Sequence, residues 1–379
     1  MNNTPTVSII VPCYNHARFL PERLRSIKEQ TFTDFEVILL DDASSDDSQA
    51  IMKAFANHEA RVTAIDFNVE NGGCVNDQWI KGVNLAKGEF VWIAESDDIS
   101  SVTFLETLLA QFKHHQDIAM AYSDSWIVNE QSKPLYRHDY TADFYNTLWK
   151  RDFVIDGATL IKDYLVFKNV IPNVSAVLFK KQHLKAALKK STMKYCGDWM
   201  CYIRILADAS VAYVHEPLNL FRAHSQSTRW HNEQSYKRAL LEKRMILKEI
   251  KKMALPESGP NILKSLKTLF NNRHKFKRIS KLYTRVKREL TPQDNVALYG
   301  CNDVSEYLVV DLSLFINFSV IFDSDVKKQG STKGGVAVTK LNGNSLNNVD
   351  AVIICSFAYA DEMRASLEKL AFKGAIITL

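Results

Sequence analysis

The stretch VSIIVPCYN, residues 7–15, joins a short apolar run to a polar end and decides how the first part of the chain folds. Apolar residues at helical spacing follow it from Leu20 onward, so the stretch predicts a strand that leads into a helix. Further apolar runs predict strands at residues 35–40, 62–67 and 90–93. Strands that alternate with helices and are apolar throughout predict an α/β domain with a mainly parallel sheet.

Polar residues follow three of these strands, and the carboxyl ends of parallel strands are where such sheets bind ligands. The clusters are PCYN at 12–15, DDAS at 41–44 and ESDD at 95–98. One such cluster fits a helix cap, and Asp46 and Asp47 suit that role. Three clusters at one edge favour a ligand site, because adjacent carboxylates repel unless a cation or a ligand donor offsets their charge.

The ordered set of motifs closely resembles the family 2 glycosyltransferases of the GT-A fold, over residues 5–230. The motifs that carry the resemblance are VSIIVPCYN (7–15), QTF-x-DFE (30–36), LDDAS (40–44), NGG (71–73), AKGE (86–89) and ESDD (95–98). The resemblance implies a nucleotide-sugar donor, a divalent metal (Mn²⁺ or Mg²⁺) and inversion at the anomeric carbon. A hard cation held by carboxylate oxygens would neutralise the leaving diphosphate.

The resemblance also implies roles for individual residues at the donor site. Asp98 matches the metal-binding aspartate, and Asp97 matches a residue that contacts the ribose or sugar. Asp42 matches the acceptor of a hydrogen bond from the ring N–H of the base, which suits uracil or thymine. Tyr14 is placed to stack on the base, and Pro12 and Asn15 belong to the same donor pocket.

One departure from the family pattern affects the diphosphate. Members often carry Ala-Arg-Asn after the Gly-Gly turn, whereas this chain has CVNDQWIKG at 74–82 and no arginine there. Lys81 is a candidate for the missing cation, and reliance on the metal alone is the alternative. Trp79 and Ile80 fit the packed face of an amphipathic helix.

The second part of the domain offers a general base, which inverting transfer requires for the acceptor hydroxyl. Asp198 follows Gly197 and opens an apolar-periodic helix, as the family's base does, and an N-cap role is compatible with this. Trp199 is a candidate acceptor contact beside it. Asn173 and Ser175 precede an apolar strand at 177–179 and fit either an acceptor-facing loop or a turn.

The segment PLNLFRAHSQST, residues 217–228, resembles the stretch that closes the family's site. His224 is a candidate third metal ligand or diphosphate contact. Arg222 is a candidate donor contact, with a structural role as the alternative.

Charge is concentrated in one segment. Residues 231–289 hold 17 Lys/Arg and five Asp/Glu, although the whole chain has a net charge of +5. The segment is helical in pattern, with a break at 256–260. A basic amphipathic helix is typical of contact with anionic lipid, and a solvated linker packed on a domain is the alternative. No nucleic-acid motif accompanies the charge, so we expect no nucleic-acid partner.

A further domain is predicted from residue 294, with strands at 296–299, 318–322, 351–355 and 375–379. Gly300 and Asp323 stand 23 residues apart, near the spacing of a dinucleotide fingerprint. Asn302 and Ser305 replace the second and third glycines, which favours a Rossmann-like domain that binds no nucleotide. The predicted domains are 1–230, a glycosyltransferase domain; 231–293, a basic helical linker; and 294–379.

Composition and sequence patterns indicate where in the cell to expect the protein. No signal-peptide pattern opens the sequence, and no apolar run approaches the ~18–20 residues that span a bilayer. Six cysteines at scattered positions form no Cys-x-x-Cys, so we expect reduced thiols and no zinc site. These features predict a cytoplasmic protein, with peripheral contact at the inner face of the membrane as a further hypothesis.

The functional hypothesis is an inverting hexosyl- or N-acetylhexosaminyl-transferase. It would move a sugar from a UDP-sugar to a glycan or lipid-linked acceptor, as in bacterial surface polysaccharide synthesis. The alternatives are an inactive nucleotide-binding or scaffold protein and a dehydrogenase that uses the C-terminal domain. Retention of Asp42, Asp98 and Asp198 together favours the transferase, because an inactive module needs no base.

Overall fold

The structure is a computed structural model that describes residues 4–137, 141, 144, 147–190, 192–224, 233–312, 316–333, 335–356 and 358–378. The side chains of 270–280 and of a few other helical positions lie outside the description, as do residues 225–228 of the predicted closing segment. The chain divides into two compact units. The first is Met1–Arg222 with Leu241–Leu266, and the second includes Lys267–Leu379.

The first unit alternates strands and helices, as the apolar runs predict. Its strands are β1 Val7–Cys13, β2 Phe35–Asp41, β3 Val62–Phe67, β4 Phe90–Ile93, β5 Ile99–Ser100, β6 Ile118–Val128, β7 Pro134–Arg137, β8 Phe153–Asp156, β9 Val177–Lys180 and β10 Ser210–Arg222. Its helices are α1 Leu20–Lys28, α2 Ser48–His58, α3 Val75–Leu85, α4 Phe104–His114, α5 Gly157–Leu160, α6 Lys181–Ala187 and α7 Gly197–Leu206. The four strands predicted in the first hundred residues are confirmed as β1–β4.

These strands form one ten-stranded sheet in the order β3-β2-β1-β4-β9-β6-β10-β5, with β7 beside β6 and β8 beside β10. Strands β1–β4 are mutually parallel, while β9 runs antiparallel to both β4 and β6. The sheet is therefore parallel over its N-terminal half and mixed beyond it. The apolar pattern predicts the first half well, because strands covered on both faces read as continuous hydrophobic runs.

Helix packing places the loops that follow the strands. Every residue of β1, β2 and β4 is buried. Helix α3 lies against β1 at Gly82, where a Cβ would stand 2.4 Å from Cγ2 of Ile10. Glycine at this position lets the helix backbone approach the sheet, so it fixes the turn that carries residues 71–74 relative to the strand ends.

Two long helices connect the sheets, α8 Glu233–Lys252 and α9 Ser258–Glu289. The intervening turn lies at the predicted break. Both helices carry the predicted basic residues.

The second unit has its own sheet and core. Its strands are β11 Asn295–Tyr299, β12 Asn317–Phe322, β13 Thr332–Lys333, β14 Val336–Thr339, β15 Ala351–Ile354 and β16 Ala375–Thr378, and its helices are α10 Asp303–Leu312 and α11 Ala360–Lys369. The order is β13-β14-β12-β11-β15-β16, with all pairs parallel except β13–β14. This is a Rossmann-like arrangement, in which the strand order reverses beside β11.

Candidate functional site

The loops after β1, β2 and β4 meet at one edge of the sheet, because β1 is the parallel neighbour of both other strands. Hydrogen bonds join the loops to each other. The backbone N–H of Asn15 donates to Oγ of Ser44 at 2.8 Å, and Nδ1 of His16 lies 2.8 Å from Oγ of Ser96. The three polar clusters of the sequence therefore form one site.

Asp42 is buried at the end of β2 and accepts several hydrogen bonds. Its Oδ1 accepts from Asn68 Nδ2 (2.6 Å), Gln78 Nε2 (2.9 Å) and Gly72 N (3.0 Å). Among the described residues, its Oδ2 accepts one longer bond, 3.2 Å, from Gly72 N. A carboxylate oxygen has two lone pairs, so Oδ2 retains capacity for another donor, such as a base N–H.

The remaining residues of the predicted base pocket differ in exposure. Tyr14 is 47% exposed directly after β1, as a residue that stacks on a ligand would be. Pro12 is buried within β1. Asn15 has a left-handed backbone, φ 55°, and its Oδ1 accepts from Ser45 N at 2.7 Å. Asn15 therefore holds the two loops together, and the structure gives its side chain a structural role.

A candidate metal site lies beside these loops. His16, Asp97 and His224 each offer a ligand atom, and the three atoms all lie within 4.8 Å of one another. His224, predicted as a metal ligand, belongs to this cluster, and His16 was not predicted. Two imidazoles and one carboxylate suit Mn²⁺ better than Mg²⁺, because Mg²⁺ takes oxygen ligands almost exclusively. The Ser96 hydroxyl would orient the His16 ring, as partners of metal-bound histidines do.

Asp98, predicted as the metal ligand, is directed into the protein. It is 1% exposed, its Oδ2 accepts from Asn173 Nδ2 at 2.6 Å, and its Oδ1 accepts from Arg222 N at 3.0 Å. The guanidinium of Arg23 lies 3.9 Å away. Burial and the neighbouring Asp97 raise the pKa of Asp98. Asp97, and not Asp98, therefore belongs to the cluster with the two histidines.

Arg222, predicted as a donor contact, is fully buried, and its side chain hydrogen-bonds the backbone of the turn at 95–98. Its Nε donates to the carbonyl of Asp97 (2.7 Å), and its other nitrogens donate to Glu22 Oε2 (2.7 Å) and to Ser132 Oγ (2.9 Å). These bonds use the guanidinium inside the protein, so the predicted diphosphate contact is wrong and the structural alternative holds.

Arg23 supports the same turn from α1. Its Nε donates to the carbonyl of Glu95 at 2.8 Å, and its guanidinium lies 5.4 Å from the ring of Trp92. Burial lowers the pKa of Arg23 to about 10, against the pull of nearby carboxylates. Glu95 itself accepts from Trp79 Nε1 at 2.9 Å, and burial raises its pKa to about 8. The turn at 95–98 is therefore held rigidly.

Lys81 lies in a different network from the one predicted. Its ammonium forms an ion pair with Asp66 and donates to Oδ1 of Asn68 at 2.9 Å. Asn68 in turn bonds Asp42. Lys81 thus supports the base pocket, and the structure gives no contact that favours the predicted diphosphate role.

Asn173 and Ser175, predicted as acceptor contacts, instead form hydrogen bonds with the turn at 95–98. Asn173 bonds Asp98 and accepts from Asn219 Nδ2 at 3.1 Å. Ser175 is fully buried, and its hydroxyl accepts from the backbone N–H of Glu95 at 3.1 Å. The acceptor role predicted for these two is wrong, because their polar atoms are used in shaping the turn at 95–98.

Asp198 lies in the first turn of α7. Its Oδ1 accepts from the backbone N–H of Trp199 at 2.7 Å, and its Oδ2 accepts from Asn169 Nδ2 at 3.2 Å. Burial raises its pKa to about 6, and the charge of Glu242 acts in the same direction. Trp199 is buried, and its Nε1 has no hydrogen-bond partner among the described residues. A carboxylate with a pKa near 6 suits a base that works near neutral pH.

The C-terminal turn after β11 is closed by its own side chains. Oδ1 of Asn302 accepts from the backbone N–H of Val304 (2.8 Å) and Ser305 (3.4 Å), and the N–H of Cys301 donates to Asp323 Oδ2 (2.6 Å). A dinucleotide pyrophosphate needs such N–H groups for itself. The turn therefore does not favour the dehydrogenase alternative.

Comparison with known proteins bears on the site. The family model described as Glycosyl transferase family 2 matches residues 8–166, which include Asp42 and Asp97. This part of the chain, residues 8–166, is thus similar to that family. Glycosyltransferase GlyG of Streptococcus pneumoniae serotype 4 is 33% identical over 138 residues, 36% of this chain and 45% of GlyG. The match thus spans under half of that relative.

Two solved structures share the fold. S. aureus TarS 1-349 in complex with UDP gives a TM-score of 0.54 at 18% identity, over 75% of each chain. Mannosyltransferase PcManGT from Pyrobaculum calidifontis, in complex with GDP-Man and Mn²⁺, gives 0.50 at 16% identity, over 83% of this chain and 81% of that one. At such identities the likeness establishes the fold alone, and the predicted GT-A fold is confirmed.

Hydropathy adds one observation about membranes. Within the described parts of the chain, no helix combines the length and the apolar character needed to cross a bilayer.

Three residues of this site were not predicted from the sequence: His16, Arg23 and Glu242. A signal existed for Arg23, which lies among the apolar positions of α1 and so interrupts a buried helix face. His16 follows the PCYN motif directly, but a single histidine carries no spacing pattern. Glu242 lies in a mostly basic helix, where an acidic residue suggests only a surface ion pair.

Proposed function

We propose that this chain is an inverting, metal-dependent glycosyltransferase. It would use a UDP-sugar and transfer a hexosyl or N-acetylhexosaminyl group to a glycan or lipid-linked glycan of bacterial surface polysaccharide synthesis. The family match together with Asp198, a partly buried carboxylate with a pKa of about 6, carries the proposal. A nucleotide-binding module without catalysis would have no use for a base with a tuned pKa.

The donor would lie across the ends of β1, β2 and β4. Tyr14 offers an exposed ring for stacking, and Oδ2 of Asp42 can accept the N3–H of uracil. His16, Asp97 and His224 would hold the metal. When bound, a divalent cation supplies charge neutralisation at the diphosphate oxygens.

The transfer itself is a single displacement. The acceptor oxygen forms a bond to the anomeric carbon while the bond from that carbon to the diphosphate oxygen breaks, which inverts the configuration. Asp198 accepts the proton of the acceptor hydroxyl as the new bond forms. Asn169 and the Trp199 N–H hold the carboxylate in place. Trp199, the residue after the base in α7, stays the candidate acceptor contact.

A donor panel tests the proposal. We expect release of UDP from at least one UDP-sugar in the presence of Mn²⁺, and calorimetry should rank UDP and dTDP above GDP and CDP. Asp42→Asn should weaken UDP binding by roughly 10–100-fold, since hydrogen bonds to charged groups are worth about 1.5–3 kcal/mol. Asp41→Asn is the control, because that carboxylate bonds Ser44 and Gln49 inside the protein. Tighter binding of GDP than of UDP would contradict the uracil assignment.

We also propose peripheral contact of α8 and α9 with anionic membrane. Leu241 (59% exposed) and Met245 (47%) share one face of α8, and Leu263 (61%) and Leu266 (38%) share one face of α9. Exposed lysines and arginines flank both pairs, the pattern expected of helices that lie in an anionic interface.

Vesicle sedimentation measures this contact. The protein should sediment with phosphatidylglycerol vesicles and not with phosphatidylcholine vesicles, and salt should release it. Leu241→Asp with Leu263→Asp should abolish sedimentation, whereas Val326→Asp, at an exposed position of the second unit, should not. Equal sedimentation with both lipids would contradict an electrostatic contact.

A further inference from the structure

Glu242 is a buried carboxylate of α8 that the proposed reaction does not use. It is 3% exposed, and it accepts hydrogen bonds from three successive backbone N–H groups. Lys194 donates to Oε1 at 2.8 Å, and Tyr195 and Cys196 donate to Oε2 at 2.8 and 3.0 Å. A row of N–H groups that converges on one anion is a strong and geometrically specific anchor.

The anchored segment leads directly into the proposed base. Helix α7 begins at Gly197, and Asp198 is its second residue. Only Gly197 separates the base from the last anchored amide. The placement of the 194–196 backbone therefore sets where the Asp198 side chain starts. The carboxylate itself accepts hydrogen bonds from Asn169 and from the backbone N–H of Trp199.

The charge of Glu242 also acts on Asp198. Burial is the main reason that the pKa of Asp198 is raised to about 6, and the Glu242 anion raises it further. The other ionisable groups that face Asp198 are Cys196, Cys201 and Tyr202, and burial raises the pKa of each.

Lys243, the neighbour of Glu242, lies near Cys196 and Trp199. Its ammonium lies 5.6 Å from the centre of the Trp199 ring, and burial lowers its pKa to about 8. Glu242 thus acts on Asp198 in two ways. Its hydrogen bonds place the 194–196 backbone ahead of the base, and its negative charge acts on the base electrostatically.

We propose that Glu242 is a positioning residue for Asp198: it fixes the 194–196 backbone in front of α7 and keeps a second negative charge near the base. This inference rests on the proposed function, in which Asp198 is the base. It assigns to α8 a part in catalysis that acts through the backbone ahead of α7.

Glu242→Gln tests the inference. An amide offers one acceptor oxygen and turns an NH₂ group towards the remaining N–H donors, so the segment should loosen. We expect kcat for UDP release from the responsive UDP-sugar to fall by roughly 10–100-fold, because small misplacements of a catalytic group have costs of this size. UDP affinity should stay at the parent's value. The acid limb of the pH–kcat profile should move to lower pH, because the charge that raises the pKa of Asp198 is gone.

Glu249→Gln is the matched control. Glu249 lies on the same helix and also bonds α7, where its Oε1 accepts from Nε of Arg204 at 2.9 Å. It contacts the opposite end of α7 from Asp198. This variant removes the charge of the ion pair between the two helices and leaves the 194–196 segment intact, so its kcat and pH profile should match the parent's.

Glu242→Asp separates charge from geometry. It keeps the negative charge on a shorter side chain, so we expect a reduced kcat with the acid limb close to the parent's position. Hydrogen exchange gives a readout that needs no turnover. The amides of 194–196 should exchange faster in Glu242→Gln than in the parent or in Glu249→Gln.

The outcomes separate this inference from the proposed function. If Asp198→Asn leaves turnover unchanged, the base assignment fails, and the inference fails with it. If Asp198→Asn lowers turnover while Glu242→Gln matches Glu249→Gln in kcat, pH profile and exchange, only the role of Glu242 is overturned. Should Glu242→Gln fail to fold, Glu242→Asp must still show the reduced kcat and the faster exchange, and parental values for both would reject the proposal.

Discussion

Asp198→Asn is expected to lower the turnover of sugar transfer by roughly 10²–10⁴-fold, the usual contribution of general-base catalysis. Asparagine keeps the shape of the side chain and can still accept from the Trp199 N–H, but it cannot take a proton. Donor affinity should stay near the parent's value, because the donor contacts lie at Tyr14, Asp42 and Asp97. Steady-state kinetics and calorimetry with UDP measure the two quantities separately.

The pH profile of the parent enzyme follows from the same residue. Asp198 must be ionised to act as a base, so activity should decline as the pH falls through about 6, and this limb should be lost in any residual activity of the variant. A fall in donor affinity with turnover preserved would instead identify Asp198 as a binding residue. A product with retained anomeric configuration, seen by NMR, would exclude single displacement.

Stability provides the control for folding. The folded-state pKa of Asp198, about 6, lies above its ordinary value, so stability is lost as the pH rises from about 4 to about 6 and the loss is complete above that range. Replacing it with a neutral side chain should stabilise the protein at neutral pH by about 1–3 kcal/mol, and this gain should disappear below about pH 4. A Tm that rises by a few degrees at pH 7.5 and not at pH 4 would therefore accompany the loss of turnover.

Asp97→Asn is expected to remove the metal-dependent part of donor binding. Loss of a ligand should weaken Mn²⁺ binding by roughly 100-fold or more, since partners one layer further out already account for 10–100-fold. UDP calorimetry with Mn²⁺ and with a chelator gives the difference directly. The variant should bind UDP about as the parent does in chelator, because the base pocket at Asp42 and Tyr14 is untouched.

Asp98→Ala is the comparison for Asp97→Asn, because Asp98 is buried and lies outside the candidate metal cluster. Its removal would leave the buried Arg23 without its carboxylate, which should destabilise the protein by about 3–5 kcal/mol. We expect a large fall in Tm for Asp98→Ala and a small one for Asp97→Asn. The reverse result, with Asp98→Ala well folded and without metal response while Asp97→Asn responds normally, would restore the metal role to Asp98.

The sequence predicts the elements and the edge of the sheet that binds. Continuous apolar runs that alternate with helix patterns predict strands buried on both faces of a parallel sheet, as β1, β2 and β4 are, whereas the residues of β3 are partly exposed. Polar residues after three such strands must then meet at one edge. Asp198 could be singled out only with the family resemblance, because an acid after glycine at the start of an apolar-periodic helix fits a helix cap equally well.

Direction of side chains is decided only by the tertiary structure. Asp97 and Asp98 are adjacent and identical, and no pattern tells which one faces the ligand and which one turns inward to Arg23 and Asn173. That depends on where two buried arginines, from α1 and from the end of β10, contact the turn. The same holds for Asn173 and Ser175, whose polar atoms bond the turn because β9 runs beside β4.

The sequence also could not predict which residues far apart in the chain come into contact. By itself it determined the α/β class, the strand ends that form the site and the separate C-terminal sheet, because these depend on local periodicity and turn chemistry. Only the folded chain decided that His16, Asp97 and His224 share one cluster and that Glu242 anchors the backbone ahead of Asp198. Such contacts join segments far apart in sequence, and their geometry is set by how helices pack on the sheet.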